Sequence, residues 1–294
     1  MYLNSYDFEN IERIYNLANK KGQIKTYWFS GGSDNLKILS DKLKECRRKL
    51  RKIKKEKDTY NTYTFLQLNN ELETLKENME QYHSFYINDV VSKVNSRDFK
   101  IEFGTIENDD RKELYYVNNL QSFIAAKIIM NDIRNIYKIF PTDRDSILKR
   151  LSLLLCEPFP IIFLRIDIQS FYESIPNDEL MTKIKKDALI PAKSQRLLRQ
   201  IFYSYNKQNN DLSLGIPRGL SFSPYLSELY MKDLDQLIKE IEGVYFYERY
   251  VDDIIILAVP NAIITNANQL YSCVQDLFKK YKLRVHSLEE TDKT

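Results

Sequence analysis

Tyr250-Val251-Asp252-Asp253 sets two adjacent carboxylates between two apolar runs, Val244-Tyr245-Phe246-Tyr247 before it and Ile254-Ile255-Ile256-Leu257 after it. Runs rich in β-branched and aromatic residues, joined through an acidic dipeptide, predict a hairpin with carboxylates at its tip. Neighbouring carboxylates repel each other and are tolerated most easily where cations bind; oxygen donors of this kind suit Mg²⁺ or Mn²⁺. A two-metal site for phosphoryl or nucleotidyl transfer uses such a donor set. The pair alone is weak, because Asp also suits turns for local hydrogen-bonding reasons. Two upstream segments add to it. Ile161-Ile162-Phe163-Leu164-Arg165-Ile166-Asp167 predicts a strand, apolar except at Arg165, that delivers a further carboxylate at its end. Gly215-Ile216-Pro217-Arg218-Gly219-Leu220-Ser221-Phe222-Ser223-Pro224 holds two of the seven glycines of the chain, as expected where the backbone turns or admits a ligand closely. The plain alternative is a loop entering a helix. Ser223-Pro224 reads as an N-cap followed by Pro at the first helical position. The helix it opens carries Leu226, Leu229, Tyr230, Leu234, Leu237, Ile238 and Ile241, and stops near Gly243.

Taken in order, the three segments resemble motifs A, B and C of the reverse transcriptase palm. Asp167 with Phe171-Tyr172 matches the first, Gly215-x-Pro217-x-Gly219 with Ser223-Pro224 the second, and Tyr250-x-Asp252-Asp253 the third; the likeness covers roughly residues 140–294. The stretches DIQSFYESIP, GIPRGLSFSPYLSELYM and ERYVDDIII are similar to bacterial defence-associated (abortive-infection or "unknown group") reverse transcriptases. The resemblance implies an α+β right-hand polymerase with palm and fingers. It implies nucleotidyl transfer with Mg²⁺ (or Mn²⁺) as cofactor, a deoxynucleoside triphosphate as substrate, and DNA and/or RNA as partner. Asp167 and Asp252 would hold the metals, with Asp253 as a third carboxylate and the Ile168 carbonyl assisting. Tyr172 would be the steric gate against a ribose 2′-hydroxyl, with Phe171 turned toward the core. Arg218 and Gly219 would lie beside the incoming nucleotide. Many family members carry Gln where this chain has Arg218, a fixed cation that cannot accept hydrogen bonds. That departure puts templated synthesis in doubt and leaves untemplated or protein-primed synthesis open. Arg144 is the first choice for a triphosphate-holding cation, Lys138 the second. Lys293 would be the general acid that protonates pyrophosphate.

Composition sets outer bounds. The 294 residues suffice for one large domain or two modest ones, and 43% hydrophobic content supports a sizeable core. A net charge of +3 does not by itself indicate nucleic-acid binding; distribution must. Cys46, Cys156 and Cys273 are dispersed and odd in number, and with two histidines they form neither a zinc pattern nor a disulfide framework. A reduced, cytoplasmic location follows. Met1-Tyr2-Leu3-Asn4-Ser5-Tyr6-Asp7 has neither the basic start nor the apolar run of a signal peptide, and no stretch is suited to a membrane span.

The elements that must position these residues divide into an N-terminal helical region (1–99), fingers-like helices (100–160) and a palm with inserted helices (161–294). Residues 1–20 predict a short helix on Ile11, Ile14, Tyr15 and Leu17. After a break at Gly31-Gly32-Ser33-Asp34, the positions Leu36, Leu39, Leu43, Cys46, Leu50 and Ile53 form one heptad seam. Phe65, Leu68, Leu72, Leu75, Met79 and Tyr82 form another. Residues 34–88 therefore predict an antiparallel helical hairpin. Its first arm is basic from Lys42 to Lys57; its second carries Glu71, Glu73, Glu77 and Glu80. The arms either neutralise each other or leave a surface that binds phosphate. Phe123, Ala126, Ile129 and Ile133 predict one fingers helix, and Ile147, Leu148, Leu151, Leu154 and Leu155 another. Residues 177–210 predict further helices. After the hairpin come a helix on Ile263, Ile264, Ala267, Leu270, Val274, Leu277 and Phe278 and a short strand, Leu283-Arg284-Val285-His286. Family palms are followed by a helical thumb, which this sequence is expected to lack. Either the sequence is a fragment, or a homo-oligomer or a thumb-supplying partner provides the grip. The competing expectation is a catalytically idle palm that binds nucleic acid or a partner.

Overall fold

The computed structural model describes residues 5–24, 34–55, 62–107, 113–140, 143–209 and 215–287. The chain divides into two compact units: Met1–Gly104 with Val117–Ile128, and Thr105–Tyr116 with Ile129–Thr294. No helix among the described residues is long and apolar enough to cross a membrane.

The first unit is built on three helices, α1 (Phe8–Lys20), α2 (Asp34–Lys55) and α3 (Thr62–Asn95). Asp7 caps α1, its side chain accepting from the Asn10 amide at 2.8 Å. Ile11, Ile14, Tyr15 and Ala18 are buried, whereas Leu17, expected on the inner face, is 51% exposed. Ala18 takes the inward place. Helices α2 and α3 form the expected hairpin. Leu43, Cys46, Leu50 and Leu75 are its buried centre, flanked by Leu39, Phe65, Leu68, Leu72 and Met79. The arms run in opposite directions, since Cys46 Sγ donates to the Leu68 carbonyl at 3.3 Å while Lys54, further along, lies 5.7 Å from the Phe65 ring centroid. Tyr82 is 41% exposed and does not continue the seam, because by that level the partner arm has reached its first turn. Beyond it α3 runs past residue 88 and buries Ile87, Val90 and Val94. There it packs with α1, where the Tyr15 hydroxyl meets His83 Nδ1 at 2.9 Å.

Two five-residue strands, β1 (Phe103–Glu107) and β2 (Glu113–Val117), form a small sheet that the helical reading of 100–160 missed. Strands this short, without clean alternation of apolar and polar residues, leave little periodic signal. Helix α4 (Leu120–Tyr137) follows, apolar around much of its circumference, then α5 (Arg144–Leu154), capped by Asp143. The second unit centres on an antiparallel sheet of order β3-β5-β4, with β3 at Ile162–Asp167, β4 at Val244–Tyr250 and β5 at Asp253–Ala258. A single turn, α6 (Phe171–Ser174), follows β3; α7 (Asn177–Asp187) and α8 (Ala192–Gln208) fill the interval before α9 (Ser223–Lys239). Helix α10 (Ala267–Lys280) comes after the sheet. Helix α9 packs on β4 and α10, and α10 on β3. Ile162, Leu164 and Ile166 of β3 and Ile254, Ile256 and Ala258 of β5 are buried. The alternation along β3 leaves Phe163 and Arg165 exposed and Asp167 half-buried on the opposite face.

Candidate active site

Register fixes the carboxylates. Asp167 and Asp253 are direct partners across β3 and β5. Directly opposed residues project to the same face of an antiparallel pair. The Ile168 amide donates to the Asp252 carbonyl at 3.1 Å, extending the pairing one step past the strand ends. Tyr250 pairs with Asp253, so Val251 and Asp252 alone form the hairpin loop. Two-residue hairpin loops need positive φ, which glycine or asparagine normally supplies. Here Val251 has φ +59°, a conformation that costs a β-branched residue about 1–3 kcal/mol.

Arg249 holds that loop. It is 6% exposed, on the inner face of β4. Its Nη1 and Nη2 donate to Glu228 Oε1 at 2.9 Å and Oε2 at 2.7 Å, while Nε and Nη2 donate to Asp235 Oδ1 at 3.0 Å and Oδ2 at 2.8 Å. Nη1 also donates to the Val251 carbonyl at 2.9 Å. Burial opposes the guanidinium charge, but the Asp235 and Glu228 carboxylates outweigh it and raise its pKa above the ordinary value. The Arg249 Cζ lies 5.9 Å from the ring centroid of Phe171, which is buried as expected. Sequence reasoning passed over Arg249. The signal was there: Glu228 and Asp235 lie seven residues apart, two turns along the predicted helix, and call for a cation on the element packed against them.

Ser170, at φ +47°, turns the chain at the end of β3 so that Phe171 enters the core and Tyr172 is half-buried. The glycine-containing loop is tied to this turn: the Ile216 amide donates to the Tyr172 carbonyl at 2.7 Å and the Gly215 amide to the Ile175 carbonyl at 2.8 Å. The Arg218 guanidinium stands 5.9 Å from the Tyr172 ring centroid. On its other side the loop meets β2, where the Tyr115 amide donates to the Arg218 carbonyl at 2.7 Å. Gly219 has φ +103°, and a Cβ there would lie 2.5 Å from the Tyr115 carbonyl oxygen, so no other residue fits without moving backbone. Ser223 does not cap α9. Phe222 stands at the cap position, and the Ser223 hydroxyl donates instead to the Pro217 carbonyl at 2.6 Å, bracing the loop.

A cleft of about 400 Å³ results, and its lining includes the sequence-predicted Arg144, Asp167, Tyr172, Arg218, Asp252 and Asp253, with Ile168, Phe171 and Tyr250 beside them. Gly219, packed against the Tyr115 backbone, and Lys138 are not among the lining residues, and Lys293 lies outside the described residues. Glu173 and His286 line the cleft too, and sequence reasoning gave neither a role. His286 arrives because Val285 bridges Ile168, and its amide donates to the Asp167 carbonyl at 3.0 Å. Its Nε2 lies 3.5 Å from Asp167 Oδ2. Only the bridge makes them neighbours, and no local pattern announces it.

Burial raises the Asp167 pKa, and the charges of Asp252 and Asp253 raise it further, against the pull of His286 and Arg165. Hard oxygen donors that disfavour one another's charge suit a divalent cation, so Asp167 and Asp252 fit Mg²⁺ or Mn²⁺. Asp253 is differently engaged: its Oδ1 accepts from Arg165 Nη2 at 3.0 Å. Among the described residues no group of three or more His, Cys, Asp or Glu is arranged as a ready-made metal cluster. The fit therefore rests on two carboxylates, with Asp253 partly neutralised beside them. Residues 117–288 match the family model described as Reverse transcriptase (RNA-dependent DNA polymerase), a span that contains every residue lining the cleft. No curated protein matches the chain.

Proposed function

Because this chain belongs to the reverse transcriptase family, we propose that its cleft joins deoxynucleotides to the 3′ end of a DNA strand. In this reading the β3-β5-β4 sheet with α9 and α10 is the palm, and α4 and α5 stand on the fingers side. The observation that carries the reaction is the pair Asp167 and Asp252, brought together at the ends of adjacent strands with Asp167 raised by burial and by its acidic neighbours. These two residues would hold Mg²⁺ or Mn²⁺, which when bound supplies an activated 3′-hydroxyl and charge stabilisation of the leaving pyrophosphate.

The protein's own side chains do the rest. Arg165 offsets the charge of Asp253, so that the acidic corner carries less repulsion before a cation enters. Tyr172 closes one wall with a flat ring where a 2′-hydroxyl would otherwise be accommodated. Burial pushes its phenol pKa up, so the hydroxyl stays protonated at neutral pH. Arg218 and Arg144 present cations toward the same space, suited to phosphate oxygens.

Arg218 also supports the finer reading. Its backbone is tied to Tyr115 and its guanidinium stands close to Tyr172, where it can hold phosphate oxygens but offers no acceptor to a nucleotide. We read the enzyme as a defence-associated reverse transcriptase whose synthesis is untemplated or protein-primed, acting in a reduced cytoplasm that suits three free cysteines. The competing reading, an idle palm that binds nucleic acid or a partner, draws on the Asp253–Arg165 ion pair. A deoxynucleotide incorporation assay with purified protein separates them. Mg²⁺- or Mn²⁺-dependent products, lost in Asp252→Asn, support polymerisation. Their absence from the parent protein across primers, templates and both metals sinks it.

A further inference from the structure

The first unit carries a charged face that the cleft chemistry does not use. On α2, Lys44, Arg47, Arg48, Arg51 and Lys52 recur three and four residues apart and are all exposed. That spacing lays them along one side of the helix, next to the seam of Leu43, Cys46 and Leu50. Sequence alone left open whether the acidic arm cancels this charge. In the structure the hairpin's ion pairs run within each arm: Lys44–Asp41 at 2.8 Å and Lys49–Glu45 at 2.9 Å on α2, and Lys76–Glu73 at 2.7 Å on α3. Among the described residues no salt bridge joins the two arms, and Arg47, Arg51 and Lys52 take part in none. Glu45, already paired with Lys49, also acts on Arg48, and Glu71 of α3 reaches across to act on Lys49 without forming an ion pair.

Like charges at these spacings each destabilise a helix by roughly 0.2–0.5 kcal/mol. The hairpin tolerates them because its apolar seam, not its surface, holds it together. A stripe of unneutralised guanidinium groups matches a polyanion. The apolar face of α2 is occupied by α3, so the helix has no free apolar side to sink into a lipid surface. Arginine forks pair with phosphate oxygens two at a time. Lys44 to Lys52 spans about 12 Å of helix, a length over which a duplex presents about seven phosphates.

We propose that this stripe is a phosphate-backbone binding surface for nucleic acid, additional to the cleft and indifferent to sequence. Family membership identifies the polyanion as nucleic acid; the proposal does not require the cleft to be catalytically active. The test uses the full chain carrying Arg47→Gln, Arg51→Gln and Lys52→Gln together. Glutamine matches the helix propensity of the residues it replaces, and circular dichroism checks the hairpin. Anisotropy with labelled single-stranded and duplex oligonucleotides is read across a salt series. The expected result is at least tenfold weaker binding near 0.1 M salt and a salt slope smaller by about 3, one for each lost phosphate contact. A companion double variant, Arg47→Lys with Arg51→Lys, keeps most of the affinity. An unchanged affinity and slope in the glutamine variant overturns the proposal. So does loss of binding to anionic vesicles with oligonucleotide binding intact, which would make the partner a membrane. Asp252→Asn is assayed in parallel. Its loss of incorporation reports on the cleft and the glutamine variant's loss of affinity on the stripe, so a failed polymerase reading and a failed stripe leave different signatures.

Discussion

Replacing Arg249 should loosen the Val251-Asp252 turn more than it unfolds the sheet. The side chain makes five hydrogen bonds: two each to the Glu228 and Asp235 carboxylates and one to the Val251 carbonyl. Arg249→Met strands two carboxylates whose side chains are 26% and 18% exposed. Breaking a buried ion pair from one side costs about 3–5 kcal/mol. The residual exposure lets water or a proton reach the orphaned acids, so about 3 kcal/mol is expected, within the 5–15 kcal/mol that holds a typical domain together. Arg249→Lys keeps the charge but cannot span two carboxylates and a carbonyl at once, and about 1–2 kcal/mol of destabilisation is expected. The effect on activity is larger. Without its anchor, Val251 at φ +59° is free to relax, and Asp252 moves with it. A misplacement of about 1 Å at a reacting centre lowers rates on the order of 100-fold. Urea melts and incorporation kinetics on the same preparations separate the two effects. The triple replacement Arg249→Met, Glu228→Gln, Asp235→Asn removes the stranded charge and should recover much of the stability without recovering activity. Full incorporation by a folded Arg249→Lys would refute the claim that this fork positions Asp252.

Four further outcomes are expected. Asp252→Asn abolishes incorporation and leaves the circular dichroism spectrum unchanged; retained activity with either metal rules out its assignment as a ligand. Tyr172→Ala raises the ratio of ribonucleotide to deoxynucleotide incorporation, and a constant ratio would show the ring to be packing only. Gly219→Ala forces a Cβ to within 2.5 Å of the Tyr115 carbonyl oxygen at φ +103°, and should lower stability by about 1–3 kcal/mol; an unmoved urea midpoint contradicts this. With a chelator present at neutral pH, Asp167→Asn melts higher than the parent. A folded-state pKa raised above 3.8 means the protonated form favours the fold, and that contribution disappears as pH rises through the raised value. The ionised carboxylate is therefore a net cost at pH 7, and a lower melting temperature in the variant would contradict the sign.

The β4–β5 hairpin, strand β3 and helix α9 were legible because their apolar runs and breaks are local. The three cleft aspartates were legible because strand ends and turns are where such runs deliver polar residues. What escaped depends on register and packing between distant elements. Arg249 is one letter in a strand until α9 lies against it with Glu228 and Asp235. His286 becomes a neighbour of Asp167 only through the Ile168–Val285 bridge. Tyr82 keeps the heptad spacing but leaves the seam where its partner helix begins. Ser223 has the type and place of a cap, yet the Pro217 carbonyl claims its hydroxyl.

The strand pairing that assembles the cleft also dictates when it can exist during synthesis. Arg165 and Asp253 are 88 residues apart. At about 5–20 residues per second, roughly 4–18 s separate the emergence of β3 from that of the strand that completes its ladder. Throughout that interval Ile162, Leu164 and Ile166 have no sheet partner, while the α2–α3 hairpin, built from contacts closer in sequence, can already be formed. An apolar strand waiting this long is a template for pairing with another chain. Yield of active protein should thus depend on elongation rate and chaperone capacity through this one interval, more than on the final stability of the sheet.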